Sequence, residues 1–382
     1  KEWWPVLFKG SRYADRMPIG LIEIINGFEH QIIKDFYNDW YRTDLQAIIV
    51  VGDINADEIE QKIIKQFGKI KAVKNPREKL IYPVIENKEP LVSVCTDKEA
   101  MGTQVMVVRK HPHFVMKTVG DYKKYMTHEL YNIMYEARLS EMMQDPKTPF
   151  VGASVGYSDF LGNTDAYMSA ASCKENKIIE SLEALIQEDY RVLKFGFLET
   201  ELKRAKEEML NQYEVAAKEV NKTESARFAD EYVAHYLHKD PIPGAKRELT
   251  FANKYLEEIT IDEINKLAQK WITEENLVAI VMAPENENIT VPTENEILAV
   301  LKNKELANVT PYIDTYKEQE LVEVESLQRG EIVHIKELDG VDAKELTLSN
   351  GIKIITKKTN FKNDEILFLA KSRGGYSLYD EA

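Results

Sequence analysis

Seven histidines and two cysteines carry most of the metal-binding and nucleophilic capacity of this 382-residue sequence. A helix holds zinc when two imidazoles lie one turn apart on one face, as in H-x-x-E-H or H-E-x-x-H, with the glutamate activating water. His128-Glu129-Leu130-Tyr131-Asn132 comes nearest, but Asn132 stands where the second imidazole is needed, so the stretch reads as ordinary helix. His111-Pro112-His113 places two imidazoles together at a strand end. Its proline forbids a helix and no fixed third ligand is visible, so it reads as a surface pair. His235 and His238 lie one turn apart and can share a face with Glu231, a set that would chelate a stray cation weakly and reads more simply as solvated. His30 and His334 have no partners in the sequence around them.

Nucleophile chemistry finds no better footing. There is no G-x-S-x-G elbow, and no Lys-Ser/Thr follows Gly374-Gly375 to make a phosphate loop. Cys95 and Cys173 both fall on apolar stretches, where a buried, inert thiol is the default; a single bridge between them is left open. The formal net charge of −14 repels nucleic acid and anionic lipid, so neither is expected as a partner. No apolar run reaches membrane-spanning length. The chain starts at Lys1 without Met or a signal-peptide pattern, and reads as a piece of a longer protein.

The elements that must position these residues follow from apolar spacing. Ile25, Phe28, Ile32, Phe36 and Trp40 make one face of a helix over 24–40. Leu45–Val51 is a nearly unbroken apolar run that suits a buried strand, and Asn55 with Glu58 reads as the capping box of a second helix. After a Lys/Glu/Pro-rich linker come strands at Leu91–Cys95 and Val105–Val108, then a helix over Tyr122–Met143. Strands at Val151–Tyr157 and Tyr167–Cys173 follow, then helices at Ile178–Lys194 (stopped by Gly196), Glu201–Lys218 and Ser225–Leu237. Thr260 and Glu263 cap a helix running to Trp271, and Leu277–Met282 is a strand. Trp271 and its strand repeat the order of Trp40 and its strand, which suggests domains built on one plan. Residues 285–345 read as an acidic connector holding one helical island, Glu296–Lys304. Leu346–Leu348 and Ile352–Ile355 flank an Asn350-Gly351 turn as a hairpin, with a further strand at Ile366–Ala370.

The wording of these elements resembles the inverzincin zinc metallopeptidases of the pitrilysin/insulinase type. The resemblance rests on Arg16, Pro18, Ile19 and Gly20, then Phe36, Tyr37, Trp40, Tyr41 and Arg42, then Val51-Gly52-Asp53, and again on Leu348-Ser349-Asn350-Gly351-Ile352 with Gly374-Gly375. It implies an α+β fold of repeated domains, each a mostly antiparallel sheet with helices packed on one side. On that map residues 1–75 close a first, catalytic-type domain and 76–90 link it onward. Residues 91–284 form a second domain, 285–345 the connector, and 346–382 the start of a third.

Such enzymes hydrolyse peptides in a chamber closed by two halves, with Zn²⁺ as cofactor. This chain would supply chamber wall and a peptide-holding domain, pairing with the remaining domains or a partner subunit. It departs from the family pattern in having no H-x-x-E-H, so no catalytic, cofactor or metal residue is assigned and no zinc is expected on it. Arg16 and Arg42 match family positions and are expected to pair with carboxylates, fixing helix against sheet. Analogy with bacterial relatives implies an exported, periplasmic location. The alternative is a non-catalytic scaffold that pairs with an active inverzincin; a further possibility puts the active motif beyond Ala382.

Overall fold

Two nearly uninterrupted apolar strands, Val105–Val108 and Leu277–Val281, run side by side at the centre of a five-stranded sheet, buried on both faces. The computed structural model describes residues 2–316, 327–328, 330–363 and 365–375. They fall into two compact units, residues 1–211 with 225–314, and residues 212–224 with 315–382.

The first unit opens with the short helix α1 (Trp3–Leu7), whose Leu7, with the adjoining Phe8, packs on Val108, Ala166, Val278 and Ile280. Helices α2 (Ile22–Gly27), α3 (His30–Trp40) and α4 (Ala56–Phe67) follow. The sheet is built from β1 (Leu91–Asp97), β2 (Gln104–Pro112), β3 (Phe150–Leu161), β4 (Thr164–Cys173) and β5 (Leu277–Pro284), in the order β1-β5-β2-β4-β3. Only the β1–β5 pair is parallel. Between β2 and β3 runs α5 (Val119–Gln144), opened by a reciprocal capping box of Thr118 and Asp121. Then come α6 (Ile178–Phe195), α7 (Glu199–Glu219), α8 (Ser225–His238), α9 (Ala245–Glu258), α10 (Ile261–Trp271) and α11 (Glu294–Lys302). Gly196 ends α6 at φ +71°, where a Cβ would sit 2.5 Å from Asn265 Nδ2.

The second unit holds β6 (Ile332–Leu338), β7 (Ala343–Leu348) and β8 (Lys353–Thr356), an antiparallel sheet in that order. Gly351, at φ +86°, turns β7 into β8 as an Asn-Gly hairpin should. Within the same unit Asn363 bonds the end of α7, its backbone N–H to Glu219 and its Nδ2 to the Lys218 carbonyl.

The mixed α/β architecture of mostly antiparallel sheets and helices agrees with the fold class expected. Individual elements depart from the expectation for local reasons. The helix over 24–40 breaks at Phe28, which is extended (φ −74°, ψ 148°) just after Gly27. Its apolar stripe is open: Ile25, Ile32 and Phe36 are all more than half exposed. The strand over Leu45–Val51 does not form; Gln46 is extended, but no strand pairs with this run among the described residues. Ile48 and Val50 instead share a shallow groove with Ile59, Ile63 and Phe67 of α4. Only half of the first capping box closes, Asn55 accepting from Glu58 N. Helix α9 was not anticipated, nor was β6, which lies inside the stretch read as connector. Ile366–Ala370 is exposed and pairs with no strand among the described residues. Residues 376–382, in the stretch read as the start of a third domain, lie outside the described residues.

Candidate functional site

Helix α5 carries the near-motif His128-Glu129-x-x-Asn132, and the sheet decides what each residue does. Asn132 faces β3 and grips Tyr157: its Oδ1 accepts the Tyr157 N–H at 3.1 Å and its Nδ2 donates to the Tyr157 carbonyl at 3.4 Å. One turn on, Glu136 Oε1 accepts the Val155 N–H at 2.8 Å. These side chains satisfy backbone groups on the outer edge of β3, which would otherwise stand unpaired.

His128 is buried and ringed by aromatics. Its ring centre lies 5.0 Å from Phe114, 5.3 Å from Tyr157 and 4.8 Å from Trp271. Burial, reinforced by the Lys270 charge, pushes its pKa down to about 4, so the imidazole is neutral in the fold. Burial also raises the Glu129 carboxyl. Trp271 is the hub of this cluster, stacked on Tyr157 at 4.3 Å and set edge-on to Tyr131 at 4.9 Å. The Trp271 carbonyl meets His111 Nε2 at 3.0 Å, which makes Nε2 the protonated nitrogen of a neutral His111. Burial lowers the His111 pKa as well.

Two buried ion networks lie under α6. Arg138 bonds Glu201 through Nε and Nη2 (2.7 and 2.8 Å), Glu188 through Nη1 (3.2 Å) and the Gly196 carbonyl (3.0 Å). Arg191 also pairs with Glu188. Arg109 pairs with Asp189 at 2.9 Å, and Asp189 accepts from the Tyr135 and Tyr167 hydroxyls at 2.8 and 3.1 Å. Arg109 and Asp189 border a cavity of about 250 Å³ whose rim carries Lys88, Lys302 and Lys304. Lys302 and Lys304 are already paired with Glu89 and Glu274. These networks tie helices to the sheet.

His235 Nδ1 meets the Asp240 carbonyl at 2.6 Å, at the end of α8. Cys95 and Cys173 are free thiols on β1 and β4. Arg42 is buried, but it pairs locally with Asp44 and the Asp39 carbonyl (2.9 Å), closing the end of α3 rather than joining helix to sheet. The third-ligand question at His113 has an answer the sequence did not offer: Asp159 and Asp165, from β3 and β4, both stand beside its imidazole.

A helix-borne zinc site does not fit α5, because His128 is enclosed by rings and the Asn132 amide is committed to Tyr157. No helix among the described residues is long and apolar enough to cross a membrane.

Residues 27–209 match the family described as the peptidase M16 inactive domain. The zinc protease PQQL-like of Arabidopsis thaliana is 28% identical over 99% of this chain and 37% of its own length. The periplasmic protease PqqL of Escherichia coli superposes with a TM-score of 0.73 at 20% identity, covering 94% of this chain and 39% of that one. An insulinase family protease of Yersinia pestis superposes with a TM-score of 0.64 at 14% identity, over 78% of this chain and 64% of that one. The chain thus spans well under half the length of the PqqL-type proteins it matches. With the fold shared and the sequence aligned from end to end, the chain is homologous to the PqqL-type zinc proteases, and its residues 27–209 carry the sequence pattern of a peptidase M16 inactive domain.

Proposed function

We propose that this chain is the non-catalytic part of a zinc metalloendopeptidase that degrades peptides inside a two-half chamber. The observation that carries the reading is the end-to-end match to a zinc protease by a chain whose one near-motif is locked into structure. Zinc belongs to the complete enzyme, on residues other than those of α5. On this reading residues 91–284 are a wall module, 285–345 lead on from it, and 346–382 open the next repeat.

The wall module would also hold the substrate. Glu136 and Asn132 occupy the outer edge of β3 at Val155 and Tyr157. The start of the strand, with Val151 exposed at a register shift, is the part an extended peptide would reach and pair with. An exported location is part of the same proposal.

The test is proteolysis of casein by the purified chain, alone and mixed with a segment of the same protein that bears H-x-x-E-H. The expected result is no chelator-sensitive cleavage alone and cleavage in the mixture. Chelator-sensitive cleavage by this chain by itself would overturn the proposal. A full reading frame without H-x-x-E-H would instead make the protein a partner subunit.

A further inference from the structure

The turn between β3 and β4 brings together residues that the pseudo-motif on α5 does not involve. Asp159 on β3 and Asp165 on β4 are register partners, directly opposite each other across the ladder. Like charges so placed repel and destabilise a sheet unless something positive sits between them. The ladder shifts register immediately after Asp159, so that Leu161 meets Thr164. Irregularities of this kind re-aim side chains beside functional sites.

The third member arrives from the adjoining strand. His113 follows the last residue of β2, and its backbone N–H is held by the Asn163 carbonyl at 3.2 Å. Its Nδ1 lies 2.7 Å from Asp165 Oδ1 and 3.5 Å from Asp159 Oδ1. All three donor atoms lie within 4.8 Å of one another. Asp165 is 3% exposed and is fixed from behind, its Oδ2 accepting the Phe114 N–H at 2.8 Å. Asp159 is exposed, which leaves the mouth of the cluster open to water.

From these facts we infer that His113, Asp159 and Asp165 form a binding site for a divalent transition cation of the zinc class. One imidazole nitrogen and two carboxylate oxygens suit zinc with water completing the shell. Zinc–ligand bonds of about 2.0–2.1 Å put neighbouring donors about 3.3 Å apart in a tetrahedron. His113 and Asp159 are already near that spacing, and His113 and Asp165 must part by roughly half an ångström from hydrogen-bond distance. The Phe114 amide supplies the outer support that metal-bound carboxylates need. A bound cation would cancel the repulsion across the hairpin and clip β3 and β4 to the segment that leads into α5.

The test is calorimetric titration of ZnCl₂ into the full 382-residue chain after chelation and dialysis, followed by Co²⁺ absorption spectroscopy. One saturable zinc per chain at micromolar affinity is expected, with Tm rising as zinc is added. His113→Gln and Asp159→Asn should each weaken binding about tenfold or more, since the loss of an outer partner alone does as much. Asp159 is exposed, so Asp159→Asn should fold normally, and the Co²⁺ d–d bands should fade in both variants. His235→Gln with His238→Gln should leave the titration unchanged. No saturable zinc, zinc retained in both His113→Gln and Asp159→Asn, or zinc lost in the His235/His238 variant would each overturn the assignment.

Discussion

The Asn132 side chain holds Tyr157 by both of its backbone groups, accepting its N–H at 3.1 Å and donating to its carbonyl at 3.4 Å. A residue that sequence presents as a failed metal ligand is therefore a substitute strand, supplying β3 with the two bonds a neighbouring strand would have made. Asn132→Ala should cost about 1–3 kcal/mol, measured by urea denaturation, because two backbone groups lose their partners.

Asn132→His tests the same relationship from the other side. It restores the lettering H-E-x-x-H, yet His128 remains shut between Phe114, Tyr157 and Trp271. The variant should lose stability as Asn132→Ala does and gain no zinc beyond that of the parent chain. A second tightly bound zinc in calorimetry would show that the three rings do not exclude a metal from His128.

The same enclosure makes the fold acid-sensitive. His128 titrates at about 4 when folded, against about 6.5 when unfolded. Between those values the unfolded chain binds the extra proton, so stability is complete above pH 6.5 and drains away as pH falls toward 4. The loss from this group should be about 2–3 kcal/mol between pH 7 and 4.5. His111, lowered in the same direction, adds to it. Denaturation midpoints of His128→Phe should depend less steeply on pH over that window.

Arg138 is surrounded by two buried carboxylates, with its ring neighbours Phe197 and Tyr312 at 4.6 and 4.2 Å. Arg138→Met should cost about 3–5 kcal/mol, since it strands charge in the interior. Adding Glu201→Gln should recover part of that loss. Lysine in place of Arg138 should recover only part of the loss, because a point charge cannot make the two-pronged bond to Glu201.

Much of the architecture is legible in the residues because local and tertiary preferences agree. Thr260 and Glu263 close the reciprocal cap expected of them, Gly196 stops α6, and Asn350-Gly351 turns the last hairpin. Where the outcome rests on a neighbour, the sequence says less. Leu45–Val51 has the composition of a strand and an extended backbone at Gln46, yet strandhood needs a second chain alongside. Trp40 and Trp271 look alike in order, but only Trp271 meets the rings that bury it. Helix α9 was hidden behind a Pro-rich loop, although Ala252 and Leu256 share one face and Gly244, at φ +80°, marks its start. The His113 cluster was out of reach for a different reason: the register of β4 against both β2 and β3 brings its members together.

The parallel pairing of β1 with β5 imposes an order of assembly. Leu91 finds its sheet partner only at Val278, and β5 is also the strand that joins β1 to β2. On a ribosome adding about 5–20 residues per second, β1 would wait on the order of ten seconds or more for the strand that receives it. The hairpin of β3 and β4 and its partner β2 can form meanwhile, so one end of the sheet exists before the other. The five-stranded sheet can close only when β5 enters between two strands synthesised long before it, and until then the facing edges of both would lie open to chaperones and to other nascent chains.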